Sequence, residues 1–143
     1  HLAAFAHHPD ARVRSAMSFE RAGCIGFVLL ADAEPAACIH FADRSRYESV
    51  STWPLANNEV ALVNVTTLPE HRSRRYASLL IAQATSSLVP SRYRRALAHI
   101  WWNHHASLRA FRNAGWQRVG ISIEISRHKG RWYSVHLPWK VRS

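Results

Sequence analysis

Apolar and polar positions follow two rhythms along these 143 residues. The clearest two-residue alternation is "EVALVNVTT", residues 59–67, which reads as a strand closed by Pro69. Val60, Leu62 and Asn64 fall on one face, and Ala61, Val63 and Val65 on the other. "CIGFVLLAD" (24–32) is apolar and β-branched, hence a strand; "EPA" turns the chain, and "ACIHFAD" (37–43) returns as a second strand. "SRRYASLLIAQATSSLV" (73–89) switches to a helical period, with Tyr76, Leu79, Leu80 and Ala84 at core-facing spacing, and Pro90 ends it. "ALAHIWW" (96–102) reads as a buried strand, and "HASLRAFRNA" (105–114) as a short helix with Gly115 in the C′ position. "WQRVGISIEIS" (116–126) and "RWYSVHLPW" (131–139) are the last strands, joined by a hairpin turn at "RHKG". At the other end, "LAAFAHH" and "PDARVRSAMSFERAG" read as two short helices, with Pro9 and Asp10 starting the second and Gly23 ending it. Residues 43–58 are polar and read as a loop, whose Tyr47 and Trp53 either line a substrate groove or pack on the core.

The order is α-α-β-β-β-α-β-α-β-β, an α/β (α+β) fold with a mixed sheet. Its central strand–helix–strand unit needs a parallel crossover. Ligands of such sheets bind at the C-terminal ends of strands, near helix N-termini. No internal repeat or linker divides the chain, so residues 1–143 form one domain, and 48% hydrophobic residues suffice for its core. The longest apolar run, "CIGFVLLA", is strand-length and too short to span a membrane. No signal peptide is visible, and a start at His1 suggests a tagged, processed or excised piece. Cys24 and Cys38 fall out of register on consecutive strands. They read as free, buried thiols of a cytoplasmic protein.

Charge sharpens the picture. The formal net charge is +10, and it is unevenly spread. Residues 71–123 hold nine arginines and no Asp or Glu, while residues 1–70 hold eight of the nine acids. This asymmetry suggests an anionic ligand, either nucleic acid or a phosphate-rich small molecule; drift in an Arg-rich genome is the plain alternative. The densest corner is "LPEHRSRRYASLL" (68–80), with His71, Arg72, Arg74 and Arg75 where a strand passes into a helix. Unpartnered N–H groups already make a helix start electropositive, so cations there call for an anion. A strand entering a helix through R-x-x-x-x-A forms a phosphate nest, and a pyrophosphate is its natural occupant.

At this corner the sequence resembles the GNAT superfamily of acyl-CoA N-acyltransferases. Their fingerprint is Q/R-x-x-G-x-G/A at a helix start. Here it reads Arg72-Ser73-Arg74-Arg75-Tyr76-Ala77, with Arg75 in place of the glycine. "NHHASLRAFRNAGWQRVG" is similar to a later motif of the family, with Asn103, Ser107, Phe111, Gly115 and Trp116 in register. The resemblance covers mainly residues 24–140, leaving 1–23 as a helical lead-in. The family's usual first strand is not visible; it lies before His1 or has been lost.

The resemblance implies a splayed central sheet flanked by helices, with strand 59–67 bulged and parted from strand 96–102. The pantetheine arm of acetyl-CoA, or of another acyl-CoA, would pair with Val65, Thr66 and Thr67. Its pyrophosphate would sit on the N–H groups of residues 73–78, Ser73 to Ser78, and Asn103 and Ser107 would help hold the arm. An N–H at the strand end would hold the oxyanion while a neutral amine, on a small molecule or a protein, attacks directly. Glu59, thirteen residues before Arg72, matches the base of the histone-acetyltransferase branch. The plain alternative is a solvated glutamate at the start of a strand, and Glu124 and His40 are rival bases. Phe111 replaces the tyrosine that protonates the departing thiolate in many members. Tyr76, Ser107 or Tyr133 could do so instead, or the thiolate leaves unaided. These departures keep open a catalytically weak GNAT-fold module that binds nucleic acid or an acidic partner. His7–His8 and His104–His105 are adjacent pairs without metal-site spacing, so no metal is expected.

Overall fold

The structure is a computed structural model that describes residues 1–47, 54–127 and 131–138. In chain order its elements are α1 (Ala3–Ala6), α2 (Ala11–Arg14), α3 (Ala16–Arg21), β1 (Ile25–Ala31), β2 (Glu34–Asp43), α4 (Arg44–Tyr47), β3 (Glu59–Thr67), a 3-10 turn (Pro69–His71), α5 (Tyr76–Leu88), β4 (Arg95–Ala98), α6 (His105–Asn113), β5 (Gly120–Arg127) and β6 (Arg131–Pro138). The expected α/β class with a mixed, helix-flanked sheet is what the chain adopts. The sheet runs β1-β2-β3-β4; its first three strands are antiparallel, and β4 lies parallel to β3. β5 and β6 pair with each other as a separate antiparallel hairpin. Trp53, Trp139 and most of the "RHKG" turn lie outside the described residues. No described helix is long and apolar enough to cross a membrane.

β3 occupies the bounds its alternation predicts, but the alternation breaks inside it. Phe41 pairs with Leu62 and His40 with Asn64, which leaves Val63 as an extra residue, a β-bulge. Beyond the bulge the faces exchange. Val65 joins Val60 and Leu62 against the main core, and Asn64 turns to the opposite face beside His40. This corrects the expected grouping of Asn64 with Val60 and Leu62. A bulge also adds twist, and β4 does not follow β3 past it. The two strands pair only from Glu59–Arg95 to Leu62–Ala98. The expected strand 96–102 therefore ends at Ala98, and Trp101 and Trp102 stand 56% and 80% exposed rather than buried.

The main core lies between one sheet face and α5. Ile39, Phe41, Val60 and Leu62 meet Leu80, Ile81, Ala84 and Leu88, with Phe111 of α6 closing the cluster. The stripe is shifted from expectation: Leu79 is 51% exposed, and Ile81 is fully buried. α5 also starts at Tyr76, not Ser73, because Ser73 and Arg75 take positive φ. On the other face Phe5, Val13, Ala16 and Met17 of α1–α3 cover Cys38 and Leu68. The expected second helix is divided at Ser15, whose hydroxyl donates back to the Arg12 carbonyl at 2.6 Å. The β1–β2 turn is at Asp32–Ala33, with φ of 51° and 67°, and Pro35 lies within β2. Two left-handed residues match the twist of a tight hairpin, so "EPA" is strand rather than turn. Cys24 and Cys38 are both free thiols.

Candidate functional site

β3 and β4 run parallel, so α5 and α6 both begin beyond the same edge of the sheet. The path from β3 to α5 is a 3-10 turn, then Arg72 in extended backbone, then Ser73 at φ +63° and Arg75 at φ +62°. Two left-handed residues so close curl the chain into an N–H-lined concavity. α5 has no acidic residue in its first turn, and the Arg75 side chain makes no cap hydrogen bond to its first N–H groups. Arg72, Ser73, Arg74 and Arg75 are exposed; Tyr76, Ala77 and Ser78 are half-buried. The left-handed geometry explains the glycine in the family pattern: a Cβ there costs about 1 kcal/mol or more. The backbone holds this shape with arginine in place. Arg75, Ser78, Leu79, Ala82 and Asn113 line a cavity of about 470 Å³.

Val65, Thr66 and Thr67 lie on the part of β3 that β4 has left. They pair with Ile39, Cys38 and Ala37 of β2 on their other side. Ser107 is half-buried on the first turns of α6, and Asn103 is exposed in the turn before it. The structure thus sets Val65–Thr67, the nest and the start of α6 at the C-terminal ends of two parting parallel strands.

Glu59 is at the opposite end of β3. It is only 3% exposed, so the reading as a solvated glutamate fails. Its Oε1 accepts from Arg95 Nε at 2.9 Å and Nη2 at 2.5 Å, and Arg94 Nη2 stands at 3.7 Å. Its Oε2 accepts from the Ala56 N–H at 3.0 Å. Both carboxylate oxygens thus accept from protein donors.

His40 belongs to a polar line that regular alternation hides. It is fully buried, with Nδ1 3.1 Å from Asn64 Nδ2. Asn64 Oδ1 accepts from the Thr66 hydroxyl at 3.0 Å. On the far side, His40 Nε2 stands 3.4 Å from the half-exposed Glu20 carboxylate. Burial lowers the His40 pKa, and Glu20 opposes the shift. Burial also pushes the Cys38 thiol up to about 12, which leaves it protonated and inert. Phe111 is buried edge-to-face on Trp116 at 4.9 Å, and it carries no proton to give. The Tyr76 ring packs 6.0 Å from His71. The side chains of Glu124 and Tyr133 lie outside the described residues.

A second and larger cleft, about 1280 Å³, opens between the continuation of β4, α6 and β5. Sequence reasoning missed it, because it exists only where the last hairpin stands apart from β4. Its walls include Tyr47, Trp101, Trp102, Arg109, Phe111 and Ile121. Among the described residues no group of three or more His, Cys, Asp or Glu is placed to hold a metal ion.

The acetyltransferase (GNAT) family matches over residues 2–116. The match takes in the helical lead-in and stops before β5. No curated protein matches. Among solved structures, aminoglycoside N-acetyltransferase AAC(6')-Iy in complex with CoA superposes with a TM-score of 0.61 at 18% identity, covering 90% of this chain and 96% of that one. A ribosomal-protein-alanine N-acetyltransferase from Brucella melitensis biovar Abortus 2308 gives 0.57 at 15% identity, covering 89% and 87%. Aminoglycoside 6'-N-acetyltransferase AAC(6')-IG from Acinetobacter haemolyticus gives 0.57 at 18%, covering 84% and 83%. At these identities the likeness is one of fold.

Proposed function

The chain belongs to the acetyltransferase (GNAT) family of acyl-CoA-dependent N-acyltransferases, and from that premise we propose that it moves an acyl group, probed first as acetyl, to an amine by direct attack. The observation that carries this reading is the left-handed pair Ser73 and Arg75 ahead of α5, at the end of a strand its parallel neighbour has left. A pyrophosphate fits the donor set: N–H groups of residues 73–78, with Arg72, Arg74 and Arg75 around them. Val65, Thr66 and Thr67 offer a strand edge to the amides of the pantetheine arm, and Asn103 and Ser107 offer side-chain contacts. Acyl-CoA supplies the acyl group as a thioester. The amine nitrogen attacks the carbonyl carbon, the C–N bond forms, and the C–S bond breaks with its electron pair on sulfur. The amine proton passes to a base, for which Glu59 is our candidate, working through water.

Glu59→Gln keeps the shape and removes the proton acceptor. Turnover at neutral pH is expected to fall at least tenfold, while calorimetric acetyl-CoA affinity stays within about twofold. Full activity in this variant would remove Glu59 from the mechanism.

A second reading is a catalytically weak GNAT-fold module. Phe111 favours it, because no proton donor stands at that position. Calorimetry with CoA, acetyl-CoA and a generic oligonucleotide at two salt concentrations separates the two. Saturable CoA binding that survives moderate salt supports the transferase. Steeply salt-dependent oligonucleotide binding without CoA binding supports the module.

A further inference from the structure

The cleft beside α6 has a chemistry of its own. His105, Arg109 and Arg112 follow at i, i+4 and i+7 along α6, so they share one stripe, and all three are exposed and line the cleft. Asn113, by contrast, lines the small cavity with Arg75 on the nest side. The helix therefore divides two cavities, and the cleft's arginines are not those of the phosphate nest. No Asp or Glu is among the described residues that line the cleft. Arg109 and Arg112 are three apart on a nine-residue helix with no acid in its first turn. Residues three apart are neighbours on a helix surface, so the two guanidinium groups bear on one patch of the cleft wall. The opposite walls are apolar and open: Trp101, Trp102, Ile121 and Ile123 are all exposed. The cleft also reaches Phe111, which the family resemblance sets where many members carry the tyrosine that protonates the leaving thiolate.

From these features we infer that the cleft is the acceptor site, and that the acceptor is an amine carrying its own anionic group, a carboxylate or a phosphate, on an aromatic or apolar body. The inference rests on the acyl-transfer reading above. The anion sits between Arg109 and Arg112, and the body lies on the tryptophans and isoleucines. The same positive field disfavours an ammonium ion, so it releases the amine in the neutral form that attacks. A polycation is rejected by those charges.

The test follows thiol release from acetyl-CoA with matched amines. Phenylalanine is phenethylamine with a carboxylate added, and O-phosphotyramine is tyramine with a phosphate added. Neamine serves as the polycation. The anionic member of at least one pair is expected to show a kcat/KM about tenfold or more above its partner, and which pair does so identifies the anion. The R109A/R112A double variant is expected to abolish that ratio while the calorimetric Kd for CoA stays within about twofold. Equal use of both members, preference for neamine, or a ratio that survives the double variant each overturns the inference. A failed acyl-transfer reading looks different: no CoA binding and no thiol release with any amine. In that event phenylalanine and O-phosphotyramine are titrated directly. Binding lost in R109A/R112A upholds the anionic site, and absence of binding overturns it.

Discussion

Arg75 sits at φ +62°, where an L-residue costs about 1–2 kcal/mol, while its side chain lines the cavity beside the nest. Backbone and side chain therefore make opposite demands on this position. Arg75→Gly removes the strain but adds chain entropy to the unfolded state, for a net gain of about 0.5–1 kcal/mol. The expected outcome is a Tm raised by a few degrees together with CoA binding weakened several-fold. Tighter binding in the variant would mean that the side chain obstructs the nest. His40 gives a pH-dependent counterpart. Its imidazole is buried and its pKa lies below the ordinary 6.5, so the unfolded chain is the better proton binder. Its contribution is complete above pH 6.5 and declines as pH falls through 6.5 toward the lower folded value. Wild-type Tm should fall more between pH 7 and pH 5 than that of His40→Gln, whose side chain does not titrate; parallel curves would contradict this. At this scale the sequence named most candidates but not their surroundings. The Arg72–Ala77 motif located the nest. Nothing in the alternation of β3 foretold that Asn64 would meet His40, or that Arg95 and the Ala56 N–H would occupy Glu59.

Elements are legible in proportion to how much of their patterning is local. β3 has the bounds its sequence predicts because its apolar run and the Pro69 just beyond it define the strand locally, even though its alternation breaks at Val63. β4 does not, because a parallel strand lasts only as long as its neighbour stays alongside, and β3 departs after Leu62. α5 was found, but its start and its buried stripe were displaced. Ser73 to Arg75 form the nest rather than helix, and Ile81 rather than Leu79 packs under the sheet. The two positions give a paired test by urea denaturation. Ile81→Ala is expected to cost about 2–5 kcal/mol, and Leu79→Lys to stay within about 0.5 kcal/mol. Similar losses at both would contradict the stripe.

On the scale of the whole molecule, the order of elements and the fold class were readable, and the separation of the last hairpin was not. That separation creates the large cleft. The charge asymmetry was visible at once, and the structure shows why it is felt outside the protein. Two acids of the first half are tied to neighbouring arginines: Asp43 on Arg46 and Glu59 on Arg95. They do little to neutralise the arginines around the nest and along α6. The two anionic ligands proposed here would thus meet on either side of one helix, with the positive field common to both. The bulge at Val63 is what lets one strand take part in two layers. It acts as a parity bit. Before it the even-numbered Val60 and Leu62 belong to the α5 core, and after it the odd-numbered Val65 does. The even positions after the bulge, Asn64 and Thr66, are handed to the layer of α1–α3, where they extend from His40 toward the parted strands. A single surplus residue thereby exchanges which parity of β3 faces each layer, although both faces of its first half are already buried.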